Sequence, residues 1–344
     1  MLYSLQALRA FAAWVVVCHH FMQIFFDFHA SGPVGALLAE RGAVGVDIFF
    51  VISGLVIYLS TRDKDIVPSQ FLLNRALRII PAYWFYTALM ALLLFGASRW
   101  MPHQVFDWQH LLLSLLFIPA ENPGGYGMYP TLNVGWTLNF EMFFYLLFGL
   151  AFMVRRRLHL LLVTAALLLV SEVLGRLGVV SHFYNNGIIY EFLLGIGLGV
   201  LYRRGLIREG LWLPLALLAL AGFALYRLDA SLRLLHWGLP SALVVLAFIS
   251  LEPHFRGNQL LKMLGDCSYS VYLIHVLVLH AGWFVSERFA LNPYLVFAFC
   301  VPSIGLMSWL SYQWLERGLY QRMKAGIDAR SAQQPAWELS RVKC

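Results

Sequence analysis

The chain has 344 residues, 60% of them hydrophobic and 12% charged, and a mean hydropathy of +0.70. An ordinary soluble domain has about 25% charged residues, so the composition excludes a soluble enzyme and points to a polytopic membrane protein. The net charge is +7, yet the basic residues lie in short loops between apolar runs, which is the pattern that orients a membrane protein and gives no reason to expect nucleic acid as a partner.

Runs long enough to span a bilayer occur at 10–27, 43–60, 79–97, 136–154, 158–176, 187–202, 210–227, 236–251, 268–286 and 294–314. The stretch 111–118 is too short to cross. It sits among Trp108, His110, Pro119 and Pro123 and reads as a re-entrant or interfacial helix. Ten spans place both termini on one side, and the loops of that side carry nineteen of the 25 lysines and arginines. The asymmetry assigns that side to the cytoplasm. The expected fold is therefore an all-α polytopic membrane protein with about ten transmembrane helices, one short extra helix and both termini cytoplasmic. Residues 1–317 form the transmembrane domain, and 318–344 are expected to be a polar, disordered cytoplasmic tail. No cleavable signal peptide is expected, because Arg9 interrupts the N-terminus and no small-residue cleavage pattern follows. Cys18, Cys267, Cys300 and Cys344 show no CxxC pair and no metal spacing, so inert thiols and no metal are expected.

The first run carries Arg9 and His20. Eleven residues on a helix are close to three turns, so both point the same way, about 16 Å apart. Polar groups on one face of a membrane helix mark a functional pathway. The second run holds Asp47 near one end and Ser53-Gly54 in the middle. Ser-Gly alone is equally a helix-packing signal, whereas a carboxylate in hydrocarbon needs a partner. Arg75 and Arg78 stand i,i+3 at the mouth of the third run and share a face. Such a pair serves topology and lipid headgroups in most proteins, and it also suits forked bonds to phosphate. In the fourth run Glu141 and Tyr145 are i,i+4. Glu141 is read as a general base, a partner to a histidine or an acceptor for hydroxyls. His275, in the ninth run, is by itself more often structural than catalytic. Glu191 and Glu316 are further acids in or beside apolar runs, and Glu316 is expected to pair locally with Arg317.

Arginines at a cytoplasmic mouth and a histidine deep in the membrane match the needs of an acyl-CoA-dependent transferase. The arginines would hold the diphosphate end, the pantetheine arm would carry the thioester inward, and a histidine near neutrality would deprotonate an acceptor hydroxyl. The rival from another class is a proton-coupled transporter or flippase of a glycan or lipid-linked substrate. Against it stand the lack of repeats and of paired broken helices.

Leu8-Arg9-Ala10 with His20-Phe21, the stretch 45–54, Arg75-Ala76-Leu77-Arg78 with Pro81, Trp136-Thr137 with Glu141 and Tyr145, and Ser268-Tyr269-Ser270 with Tyr272-Leu273 and His275 occur in that order over nearly the whole chain. Together they resemble the integral-membrane acyltransferase 3 family, in wording nearest to its bacterial exopolysaccharide acetyltransferases. The resemblance implies about ten membrane helices, acetyl-CoA as usual donor with succinyl as the alternative acyl group, a bacterial inner-membrane location and O-acylation of a glycan or lipid-linked sugar. It places the essential histidine at His20, with His19 beside it as the departure to resolve. It also implies Arg75 and Arg78 in donor binding and a supporting role for Glu141. Arg9 and Ser53 are assigned with the donor site, and Asp47, Tyr145 and His275 with the acceptor. The expected partners are acyl-CoA, the glycan acceptor and the lipid bilayer, with a homodimer admitted as an assembly.

Overall fold

The structure, a computed structural model, describes residues 2–29, 32–96 and 104–325. Among these residues all regular structure is helical: α1 (Tyr3–Phe26), α2 (Pro33–Arg41), α3 (Val44–Thr61), α4 (Pro68–Gly96), α5 (Trp108–Leu115), α6 (Trp136–Ala151), α7 (His159–Leu168), α8 (Glu191–Arg203), α9 (Trp212–Arg227), α10 (Leu239–Ser250), α11 (Glu252–Phe255), α12 (Gln259–Asp266), α13 (Ser268–Phe289) and α14 (Pro293–Ser311).

Each of the ten expected runs is helical over most of its length, and among the described residues 7 helices are long and apolar enough to cross a membrane. The other three runs fold as shorter pieces. Glu191–Arg203 has 13 residues behind a 3₁₀ turn, Trp212–Arg227 has 16, and Leu239–Ser250 has 12 behind the π-turn Leu234–Gly238. Apolar composition continues through these turns, so the sequence shows no break where the helical geometry changes. The short helix expected at 111–118 is α5. Asp107 caps its N-terminus by accepting from the His110 amide at 2.7 Å, and the C-terminal carbonyls of Ser114 and Leu115 accept from the Tyr83 hydroxyl and the Trp84 indole of α4. The last apolar helix runs from Pro293 to Ala325, so the first part of the expected tail is helical, and 326–344 lie outside the described residues.

Helix α1 occupies the centre, touching α2, α3, α10, α12 and α13. Leu8, Ala12, Val16 and Val17 are fully enclosed there, the buried stripe of a 3.6-residue period. The α3–α8 contact is a backbone-to-backbone approach. A Cβ on Gly54 would meet the Phe192 carbonyl oxygen at 2.1 Å, and one on Gly195 would meet that of Val51 at 2.0 Å. Small residues allow this proximity in membrane helices, where dispersion replaces the hydrophobic effect between segments. Stacked rings fill the adjoining space, with Phe144 on Phe192 at 4.1 Å and Phe140 on Phe183 at 4.2 Å. Cys18, Cys267 and Cys300 are free thiols, and Cys344 lies outside the described residues.

Candidate active site

One end of the bundle encloses a cavity of about 600 Å³. Helix α1 contributes Gln6 and Arg9, α3 Ser53 and Ser60, α4 Arg75 and Arg78, and α6 Glu141 and Tyr145. The i,i+3 arginines lie inside α4, which begins at Pro68, well before the apolar run, and Pro81 sits one turn further on. Arg75 donates to the Ser60 hydroxyl at 3.3 Å, and its guanidinium lies over the rings of Phe71 and Tyr145 at 5.4 and 5.6 Å. Glu141 accepts from Ser53 Oγ at 3.1 Å and, in a short bond, from the Tyr145 hydroxyl. That helical neighbour is the one expected from i,i+4 spacing. Arg9 and Arg78 share one electrostatic neighbourhood with Glu141 and Glu316. Among the described residues, none of Arg9, Arg75 and Arg78 makes an ion pair.

His20 lies further along α1, and its partner is a second histidine. His275 Nε2 is 3.1 Å from His20 Nδ1. His20 Nδ1 is also 3.0 Å from the Val16 carbonyl, and His275 Nδ1 is 3.0 Å from the Val271 carbonyl. Carbonyls only accept, so both Nδ1 atoms carry the proton in the neutral rings. His275 Nε2 is then an acceptor for His20 Nδ1–H, and the lone pair of His20 resides on Nε2. His275 is fully buried and sits 5.9 Å from the ring of Tyr272. The Tyr272 hydroxyl donates to the Val134 carbonyl at 2.8 Å and accepts from Thr137 Oγ1 at 2.9 Å, tying α13 to the start of α6. His19 points elsewhere, with Nδ1 3.1 Å from the Leu38 carbonyl of α2. The doubled histidine therefore divides: His19 faces α2, and His20 faces α13. Glu141 belongs to the arginine cavity, so the side-chain partner of His20 is His275 rather than Glu141.

Asp47 is fully buried and held bidentately by Arg233, with Nε–Oδ1 3.0 Å and Nη2–Oδ2 2.9 Å. Arg233 also lies 5.5 Å from the Trp237 ring and 6.0 Å from the Trp136 ring. Glu191, equally buried, adjoins Asp47. The partner that a carboxylate in an apolar segment requires is thus Arg233, which engages both oxygens of Asp47. Glu316 does not pair with Arg317. Its Oε1 accepts from Ser270 Oγ at 2.5 Å, and Ser270 Oγ lies 2.8 Å from Ser311 Oγ. Adjacent residues of a helix point to different faces, which separates Glu316 from Arg317.

A family profile described as an acyltransferase domain matches residues 2–312. The chain belongs to the acyltransferase 3 family. It is 34% identical over 321 residues to the exopolysaccharide production protein ExoZ of Rhizobium meliloti (strain 1021), covering 89% of this chain and 99% of that protein. It is 26% identical over 313 residues to the acyltransferase MdmB of Streptomyces mycarofaciens, covering 81% of this chain and 79% of that one. It is also 27% identical over 315 residues to nodulation protein 10 of Rhizobium leguminosarum bv. viciae, covering 80% and 83%. No solved structure matches it.

Two residues gain importance from the structure. Arg233, one of the loop arginines in the charge count, turns out to be the partner of Asp47. Glu316 belongs to the region of Arg9 and Arg78. The signal for the first was the unexplained buried carboxylate, which requires a cation somewhere in the chain. Arg233 directly precedes the π-turn at 234–238 and Glu316 lies within another at 312–319, irregularities that recur at functional sites.

Proposed function

We propose that the protein transfers an acyl group, acetyl by preference, from its CoA thioester to a hydroxyl of an exopolysaccharide, another surface glycan or a lipid-linked sugar. Family membership supports membrane acyltransferase activity, and the name of the ExoZ relative supports a glycan acceptor. The observation that carries the donor assignment is the convergence of Arg9, Arg75 and Arg78 on one cavity with no carboxylate partner within ion-pair distance among the described residues. Arginine suits phosphate because its planar fork gives two parallel charge-assisted bonds. Loop charges support placing this end at the cytoplasm, where acyl-CoA is made. Counting the three shorter apolar helices as crossings gives the ten-span topology with both termini on that side, in a bacterial inner membrane.

In this mechanism Arg9, Arg75 and Arg78 hold the donor phosphates. His20 Nε2 takes the proton of the acceptor hydroxyl as the oxygen attacks the thioester carbonyl. The resulting imidazolium keeps its Nδ1–H on the Val16 carbonyl and His275 Nε2, which stabilise the added charge. Collapse of the tetrahedral intermediate forms the ester and breaks the C–S bond, and the thiolate recovers the proton from His20. No net proton is released. Ser53 and Tyr145 orient Glu141 at the cavity wall, where it can accept hydrogen bonds from the pantetheine amides or from an acceptor hydroxyl.

The test is His20→Ala. It is expected to lower acetyl transfer by about 10²–10⁴-fold while leaving thermal stabilisation by CoA intact. Full activity in that variant would overturn the base assignment. The buried acids Asp47 and Glu191 favour the second reading, proton-coupled transport. A transporter has no reason to be stabilised by acetyl-CoA, so a thermal shift with that ligand separates the two.

A further inference from the structure

The first two turns of α1 are held by groups from the opposite end of the chain. The helix lacks a side-chain N-cap of its own. Both oxygens of the buried Glu252 supply one instead, accepting from the Tyr3 and Ser4 amides at 3.0 and 2.8 Å. One turn further on, α12 lies directly on α1, because a Cβ on Gly265 would meet the Gln6 carbonyl oxygen at 2.3 Å. From that contact Asp266 reaches the buried Gln6, whose Nε2 donates to Asp266 Oδ1 at 2.5 Å. Gln6 Oε1 faces the other way and accepts from Arg9 Nη1 at 3.4 Å. Asp266 Oδ2 accepts from Lys262 Nζ at 2.7 Å. The amide can have only this orientation, since the reverse would set its NH₂ against a guanidinium and its oxygen against a carboxylate.

We propose that Gln6 and Asp266 are positioning residues that aim the Arg9 guanidinium into the cavity for the phosphates of the acyl donor. The proposal rests on the donor reading given above. A free arginine side chain loses rotamer freedom when it is immobilised. A guanidinium already held by one donor avoids part of that cost on binding. The neutral amide fixes direction without the direct ion pair that a carboxylate at residue 6 would make, and the other donors of Arg9 stay available. Asp266 is shared with Lys262, so its charge is partly satisfied at the surface and acts on Arg9 through Gln6. Arg75 has its own support in Ser60 and two ring faces; Arg9 has Gln6.

The experiment measures binding of CoA and of pantetheine to the full chain in detergent for wild type, Gln6→Ala, Asp266→Asn, Arg9→Ala and the double variants. Gln6→Ala and Asp266→Asn are each expected to weaken CoA about tenfold, the value of one hydrogen bond to a charged group. Neither is expected to change pantetheine, which lacks the phosphates, and neither should weaken CoA further in the Arg9→Ala background. Losses that add to that of Arg9→Ala, or equal losses for CoA and pantetheine, would show a general structural role and overturn the proposal. Unchanged CoA affinity in both single variants would overturn it too. A wild-type chain that does not bind CoA would instead overturn the donor reading, and this proposal with it.

Discussion

The molecule places arginine in two different settings. At one end of α3, Arg233 grips Asp47 with two hydrogen bonds and has Glu191 beside the pair. At the other end, Arg9, Arg75 and Arg78 face a cavity and none has a carboxylate within ion-pair distance among the described residues. The first arrangement is closed: the charge is neutralised by protein, and the cluster joins α3 to the turn before α10. The second is open: Glu141 and Glu316 lie near enough to offset part of the guanidinium charge but do not pair with it, which leaves room for an anion from outside. We assign stability to the first and, under the proposed function, donor binding to the second, although both use the same side chain.

That contrast is broken most sharply by removing one arginine from each region. Arg233→Ala leaves Asp47 as an unpaired buried charge and is expected to cost about 3–5 kcal/mol, read as a large fall in unfolding temperature in detergent. The double variant Asp47→Leu/Arg233→Leu should recover much of that loss. Arg75→Ala is expected to leave the ligand-free unfolding temperature nearly unchanged and, with Arg78→Ala, to weaken CoA by about 10–100-fold through lost charge-assisted bonds. If Arg75→Ala unfolds the chain as Arg233→Ala does, the distinction fails.

A smaller effect is expected from the spacer between the two regions. Gly54→Ala forces α3 and α8 apart at the 2.1 Å approach; it should cost about 1–3 kcal/mol and weaken CoA only moderately. The smallest change is Tyr145→Phe, which removes one hydroxyl from Glu141. A loss of about 1 kcal/mol in CoA binding or stability is expected, measurable by calorimetry. A far larger loss of transfer rate would show that this hydroxyl touches the reacting atoms.

Within a single helix the sequence was informative. The shared face of Arg75 and Arg78 and the Glu141–Tyr145 pair follow from a 3.6-residue period. Contacts between distant parts of the chain were out of its reach. Asp47 finds Arg233 and His20 finds His275 across 186 and 255 residues, and periodicity says nothing about which helices meet. For the same reason Glu316 was assigned to its chain neighbour Arg317, when its partner is Ser270 on another helix. Hydropathy is blind to the 3₁₀ and π turns that open the helical segments at 187–202 and 236–251, because apolar residues such as Ile188, Ile189, Leu234 and Leu235 continue through them.

The central claim is that His20, supported by His275, drives acyl transfer to a glycan. Mass spectrometry of surface and secreted glycans from cells lacking the protein, complemented either with wild type or with His20→Ala at equal membrane abundance, tests it most directly. O-acetyl groups are expected to be restored by wild type and absent with His20→Ala. Equal O-acetylation in the two strains would contradict it.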